Sequence, residues 1–257
     1  MTIIVRVITR SSRRVLARKP VQLELSMKRD KNGQRRGGAR PGAGRPRKPK
    51  GTASEWHKRR ADVNHRHPQH VTLRVLGEVG HLRKRFIWRA IRTALLRTAE
   101  RADFRIVHMS VQGNHIHLIC EADSKAALTA GVWGFEISAA KHINGELGGD
   151  GRRRKGQVFA DRYHVVAMSS LRQTRHCVSY VLNNWRHHKG ERGPSLYGGK
   201  IDPYSSGVWF PFWKERTTPD IHVPAGYDPP PVCRPMTWLL TEGLKRAAPI
   251  SVWEVPR

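Results

Sequence analysis

Acidic residues are scarce in this chain: 20 Asp and Glu stand against 48 Lys and Arg in 257 residues, a formal net charge of +28 with histidine neutral. That excess is far more than solubility requires and points to a polyanionic partner, although a membrane-surface or ribosomal-type basic protein has a similar balance. Cysteine is scarcer still. Cys120, Cys177 and Cys233 are odd in number, scattered and never in CxxC spacing, which excludes a disulfide framework or a thiolate zinc site and suits a reducing compartment. No apolar run approaches the ~20 residues that cross a bilayer, and residues 1–10 are too short and interrupted for a signal peptide. A cytoplasmic protein with no membrane partner is expected. The hydrophobic fraction of 38% is low for a chain packed from end to end, so one substantial domain with disordered ends is expected.

The first 65 residues read as a basic tail. Residues 1–60 carry 19 Lys and Arg against 3 acidic residues, and from 27 to 50 Gly, Pro and cations are too dense to pack a core. Residues 2–8 form at most a short strand. The centre of the tail, GRPR at residues 44–47, resembles an AT-hook core, whose extended Arg-Pro-Arg fits the narrow minor groove of A·T-rich duplex. A nonspecific basic tail is the other reading. Under both, Arg45, Arg47 and Lys48 contact duplex DNA through phosphate charge. His65, His67 and His70 fall close together, but the intervening Pro68 and the lack of a nearby cysteine make this a basic linker rather than a closed zinc site.

The folded part is expected over 66–190, with 191–257 as an irregular Trp- and Pro-rich extension. A strand at 71–76 leads to an amphipathic helix over 82–101, with Phe86, Ile87, Ala90, Ile91, Ala94 and Leu95 at helical spacing. Residues 104–111 read as a strand, Gly113-Asn114 as a hairpin turn, and 115–120 as its antiparallel neighbour. Asp123-Ser124 offers an N-cap for a helix to about Asn144 with Trp133 and Phe135 in its core. A strand over 158–168 then precedes a helix capped by Ser169-Ser170. The order is βαββαβ followed by one more helix: an α+β, ferredoxin-like antiparallel sheet with its helices on one face. Packing is preferred to base stacking for Trp209, Phe210, Phe212 and Trp213, and a last short helix fits 236–246 around Trp238, Leu239, Leu240 and Leu244.

The chemistry concentrates at two places. In the run 112–120, QGNHIHLIC, the alternation of a strand puts His115 and His117 on one face and Ile116 and Leu118 on the other. Two imidazoles side by side make half of a divalent metal site, or else a pair of half-exposed surface histidines. In the helix over 172–188, Tyr180 and Asn184 are four apart and share a face. They present a nucleophilic phenol and an amide oxygen that suits a third ligand. Mg²⁺ or Mn²⁺ fits such a nitrogen and oxygen set. Nearby His176, or the field of the metal, is the expected aid to deprotonation of Tyr180.

These stretches, with 109–120, 158–166 and 180–184, resemble the HUH single-tyrosine transposases, and among them the REP-associated tyrosine transposases, over about residues 68–190. The resemblance implies a ferredoxin-like domain that cuts and rejoins single-stranded, hairpin-forming DNA through a 5′-phosphotyrosine. The chain departs from the family pattern after Asn184, where Trp185 and Arg186 stand in place of Pro and Arg. Arg186 and the loop cations Arg152, Arg153, Arg154 and Lys155 are candidate phosphate contacts, a solvated charge run being the alternative for the loop. Replication initiators and relaxases share the chemistry but typically add ligands or a helicase-like extension. A domesticated, non-catalytic DNA-binding relative is the competing reading from another class. Monomer and homodimer, and a tyrosine serving its own subunit or a partner's, are both compatible with the sequence.

Overall fold

Alternation along four strands divides the molecule into two faces with different tasks. The computed structural model describes residues 60–148, 152–187, 201–215 and 228–256, all within the compact unit Ala53–Arg257. Residues 1–59 lie outside the described residues, and with them the short strand expected at 2–8, the AT-hook-like segment and Arg45, Arg47 and Lys48. The elements are β1 (Gln69–Arg74), α1 (Arg85–Ala99), β2 (Phe104–Val111), β3 (His115–Ala122), α2 (Lys125–Glu146), β4 (His164–Ala167) and α3 (Leu171–His187). The sheet is antiparallel in the order β2-β3-β1-β4, the arrangement expected of a ferredoxin-like βαββαβ chain.

Every second residue of β3, from Ile116 through Leu118 and Cys120 to Ala122, packs with Val71 and Leu73 of β1 into a core under α1 and α2. Each Val, Leu or Ile side chain so removed from water contributes about 1.5–3 kcal/mol. In β2 the alternation slips: Phe104 and Ile106 enter this core, then Met109 and Val111 do. The cause is a β-bulge between Ile106 and His108, where an extra residue shifts the phase by one. Val107 is thereby turned to the other face. There it joins Ile119, Val178, Val181 and Leu182 in a second cluster beneath α3. Two helices therefore share one face, as expected, and the tyrosine-bearing helix covers the opposite one.

Local signals account for most boundaries. Ser124 caps α2 by accepting from the Ala127 amide at 3.1 Å, and Ser170 accepts from the Gln173 amide at 3.3 Å at the start of α3. The expected core role of Trp133 is wrong: its side chain is 64% exposed, whereas Phe135 is fully buried. At 3.6 residues per turn, positions two apart point about 200° from each other. Phe135 is in phase with Leu128, Val132 and Ala139, which fill the core, so Trp133 is turned outward. The last strand is also shorter than expected. Phe159 makes an isolated bridge to Val75, and the chain then turns at Asp161, whose carboxylate accepts from the Arg162 amide at 2.8 Å, before Tyr163 enters the core and β4 begins.

The termini of the expected domain are extended by packing. Upstream, Val63 packs against the core, and the Arg60 guanidinium lies 3.6 Å from the centre of the Tyr163 ring while donating to the Tyr163 carbonyl at 2.9 Å. Downstream, the C-terminal segments line the free border of β2: the Val111 amide donates to the Tyr204 carbonyl at 2.9 Å, the Cys233 amide to Ile106 at 2.8 Å, and the Met109 amide to Ser206 Oγ at 3.0 Å. Arg83, paired at 2.7 Å with the buried Asp202, anchors this cover. Glu121, also buried, accepts from the Met236 and Thr237 amides at 2.7–3.0 Å. It thereby holds the chain just ahead of the short C-terminal helix, a π turn over Leu239–Gly243 that continues into Leu244–Arg246. Phe210 and Trp213 are buried as expected, but Trp209 and Trp238 are exposed.

Candidate active site

The face of the sheet opposite α1 and α2 brings the chemistry together. His115 and His117 point the same way from β3, their ring centres 4.7 Å apart, because residues two apart on a strand share a face. The register sets Thr72 of β1 opposite His117 and His70 opposite Ile119. His70 Nε2 and Thr72 Oγ1 lie 3.1 Å and 3.2 Å from His117 Nδ1. Donor and acceptor roles follow the tautomer, but in either case Nδ1 is engaged, and a ligand bond from His117 goes through Nε2. His115 Nδ1 in turn is 2.7 Å from Asn114 Oδ1. Partners of this kind on the non-ligating nitrogen fix ring orientation in metal sites.

Helix α3 lays Tyr180 over these rings, its ring centre 5.2 Å from that of His117 and 6.0 Å from that of His70, both edge to face. Burial raises the pKa of the Tyr180 phenol, with Cys177 adding to the effect, and the Asn184 amide beside it pulls the other way without reversing the direction. Tyr180 is therefore protonated at neutral pH. His70 is held neutral, its pKa lowered to about 4 by burial and by His164. His70, His176 and Tyr180, together with Val166, Met168 and Gln173, line a groove of about 520 Å³ between β4 and α3.

Asn184, one turn beyond Tyr180, is completely buried, and neither its Oδ1 nor its Nδ2 has a hydrogen bond of standard geometry. A buried amide without well-formed hydrogen bonds costs about 1–3 kcal/mol, and an oxygen so placed beside the Tyr180 phenol fits a metal ligand. Among the described residues no group of three His, Cys, Asp or Glu side chains makes a metal cluster; the candidate donors are the two imidazoles of β3 and the Asn184 amide oxygen. Such a set suits a divalent ion that keeps open positions, not a closed zinc centre.

The remaining candidates divide. Arg152, Arg153 and Lys155 are exposed in the loop before β4. Arg154 is engaged by the protein itself, donating to Asn144 Oδ1 at 2.9 Å and pairing with Glu78 at 3.1 Å. The Arg186 guanidinium lies over the Trp185 and Trp253 rings, 4.3 Å and 4.9 Å from their centres. The sequence alone places His70 in a basic linker; the structure instead puts it in the strand and against His117 and Tyr180. The available signal is its two-residue spacing from Thr72, which Pro68 obscures by suggesting that the strand starts later.

A family model described as transposase, IS200 like, matches residues 65–184. A solved structure of a REP-associated tyrosine transposase bound to a REP hairpin is similar over 60% of this chain and 82% of that one, with 18% identity and a TM-score of 0.44. No curated protein matches. The matched segment holds the whole sheet, both histidines of β3 and α3 as far as Asn184, and over that segment the chain is similar to the IS200-like transposases.

Proposed function

We propose that this protein cuts and rejoins single-stranded, hairpin-forming DNA by transesterification, with Tyr180 as nucleophile. The observation that carries the reading is the edge-to-face seat of Tyr180 on His117, 5.2 Å between ring centres, which puts a protonated phenol beside a metal-type donor set. Tyr180 Oη attacks the phosphorus, the bond from phosphorus to the 3′ oxygen breaks, and the 5′ side remains on the protein as a phosphotyrosine. Its proton passes to His176, which lies one turn back on α3 and lines the same groove, and the departing 3′ oxygen takes up a proton as a free hydroxyl. A DNA 3′-hydroxyl later reverses the step on a new strand, the bond energy having been kept in the ester. His115, His117 and Asn184 would hold Mg²⁺ or Mn²⁺, which supplies neutralisation of the nonbridging phosphate oxygens. The test is incubation with end-labelled single-stranded oligonucleotides in Mg²⁺ or Mn²⁺, followed by denaturing gels. A covalent protein–DNA band supports the reading, and cleavage without an adduct counts against it.

His70 supports His117 rather than the reacting atoms. Substitution His70→Ala is expected to weaken Mn²⁺ binding by about 10- to 100-fold, the usual effect of losing such a partner, as read by titration calorimetry without DNA. Unchanged affinity would show that the 3.1 Å approach to His117 does not orient a ligand.

The basic tail is the proposed duplex-binding segment. Residues 1–52 hold 16 Lys and Arg against 2 acidic residues and precede the unit Ala53–Arg257. Their deletion is expected to weaken DNA binding and spare adduct formation at saturating DNA. Every phosphate that the tail neutralises contributes about 0.7 on single strands, or 0.9 on duplex, to the slope of log affinity against log salt, and the deletion should flatten the slope accordingly. A greater weakening on A·T-rich than on G·C-rich duplex would mark Gly44 to Arg47 as a minor-groove hook, and equal weakening a nonspecific tether.

A further inference from the structure

We propose that residues 248–254 form a strap that fixes the rotation of α3 and so aims Tyr180, with Glu254 as its positioning residue. The inference rests on the nucleophilic role of Tyr180 proposed above. The strap lies wholly outside the segment matched by the family, which ends at residue 184.

Packing alone does not define the aim of α3. Its seat on the sheet is made by Val178, Val181 and Leu182 on Val107 and Ile119, and apolar burial is non-directional. A slip of one residue turns a helix by about 100°, enough to carry Tyr180 off His117. Direction comes from the adjoining stripe of the same helix: Arg175, Ser179 and Asn183, four apart. The Arg175 guanidinium binds both carboxylate oxygens of Glu254, with Nη2 to Oε2 at 2.6 Å. It also donates to the Ala248 and Pro249 carbonyls at 3.2 Å and 3.0 Å. Ser179 Oγ donates to Glu254 Oε1 at 2.7 Å, and Asn183 Nδ2 to the Ser251 carbonyl at 3.0 Å. Two-pronged charge-assisted bonds of this kind are strongly directional.

The strap is itself anchored. Ile250 and Val252 are buried, the Lys214 amide donates to the Ile250 carbonyl at 2.8 Å, and Glu215 accepts from Ser251 Oγ at 2.6 Å and from the Val252 amide at 3.0 Å. Burial alone would raise the Glu254 pKa, but the bonds from Arg175 and Ser179 outweigh it and hold the carboxyl below its ordinary value. The carboxylate is therefore charged at neutral pH.

The test compares full-length wild type, Glu254→Gln and Glu254→Ala in single-turnover adduct formation at saturating oligonucleotide. The same proteins are compared in oligonucleotide affinity and in hydrogen exchange of amides 176–184. Misplacing a nucleophile by about 1 Å costs on the order of 10²-fold. Glu254→Ala is expected to lose adduct rate on that scale with affinity within about twofold, while Glu254→Gln, which keeps one acceptor oxygen in place of two and no charge, retains an intermediate rate. Exchange at 176–184 should quicken in the same order. A wild-type adduct rate in Glu254→Ala overturns the proposal, as does a Glu254→Gln rate no better than that of Glu254→Ala. If wild type itself forms no adduct, the transposase reading fails and exchange decides the strap alone: faster exchange in Glu254→Ala supports it, and unchanged exchange overturns it.

Discussion

Tyr180→Phe is expected to abolish covalent protein–DNA adducts completely while leaving single-stranded DNA affinity within about twofold and folding stability within about 1 kcal/mol. The substitution removes one oxygen and keeps the ring. The ring is what packs edge to face on His117 and His70, so the seat of the helix is preserved. Wild type and variant would be compared by denaturing gel after incubation with labelled strand and Mn²⁺, and by fluorescence anisotropy with the same strand. An adduct formed by the variant would assign the nucleophile to another residue. The raised pKa of the phenol adds a pH signature. Single-turnover adduct formation should rise with pH through the neutral range, because an increasing share of Tyr180 reacts as phenolate.

His117→Ala should lower cleavage by roughly 10²- to 10³-fold, the scale on which removing one preorganised electrostatic interaction acts, and His115→Ala by a similar factor. Excess chelator should reduce wild type to the same level. Both variants should fold. His115 is half-buried, and His117, although 4% exposed, is held by polar neighbours rather than packed in the apolar core. Thermal melts establish folding, Mn²⁺ titration establishes the loss of ligand, and the adduct assay establishes its consequence. Full activity in chelator would remove the metal from the proposal while leaving Tyr180 in place.

The strand alternation that sets His115 and His117 apart from Ile116 and Leu118 is legible in the sequence because it is local: a period of two needs no knowledge of the partner strand. The helix stripe of Tyr180 and Asn184 is legible for the same reason, and so are the caps at Ser124 and Ser170. His70 is not. Its membership of the site depends on the register that sets Thr72 opposite His117, a long-range pairing that composition around Pro68 does not reveal. The bulge at Ile106 is invisible for a related reason, since Phe104, Ile106, Met109 and Val111 obey no single period. Trp133 shows the limit of hydrophobicity as a guide, because it and Phe135 are both bulky and apolar, yet their spacing forbids one shared face. The C-terminal segments carry few periodic signals, and their place follows from single bonds such as Arg83 to Asp202 and Glu121 to the Met236 amide.

One border of the sheet is sealed. Tyr204, Ser206 and Cys233 bond to Val111, Met109 and Ile106 of β2, so among the described residues a passing strand finds the ladder already taken at these positions. At the other border β4 offers four residues, His164–Ala167, beside the groove that leads to Tyr180. An open filament built by adding sheet to sheet needs two free borders on every copy, one to give and one to receive. With a single short one among the described residues, strand addition through this sheet stops at a symmetric pair. Such a pair would lie along β4, beside the groove lined by Val166 and Tyr180.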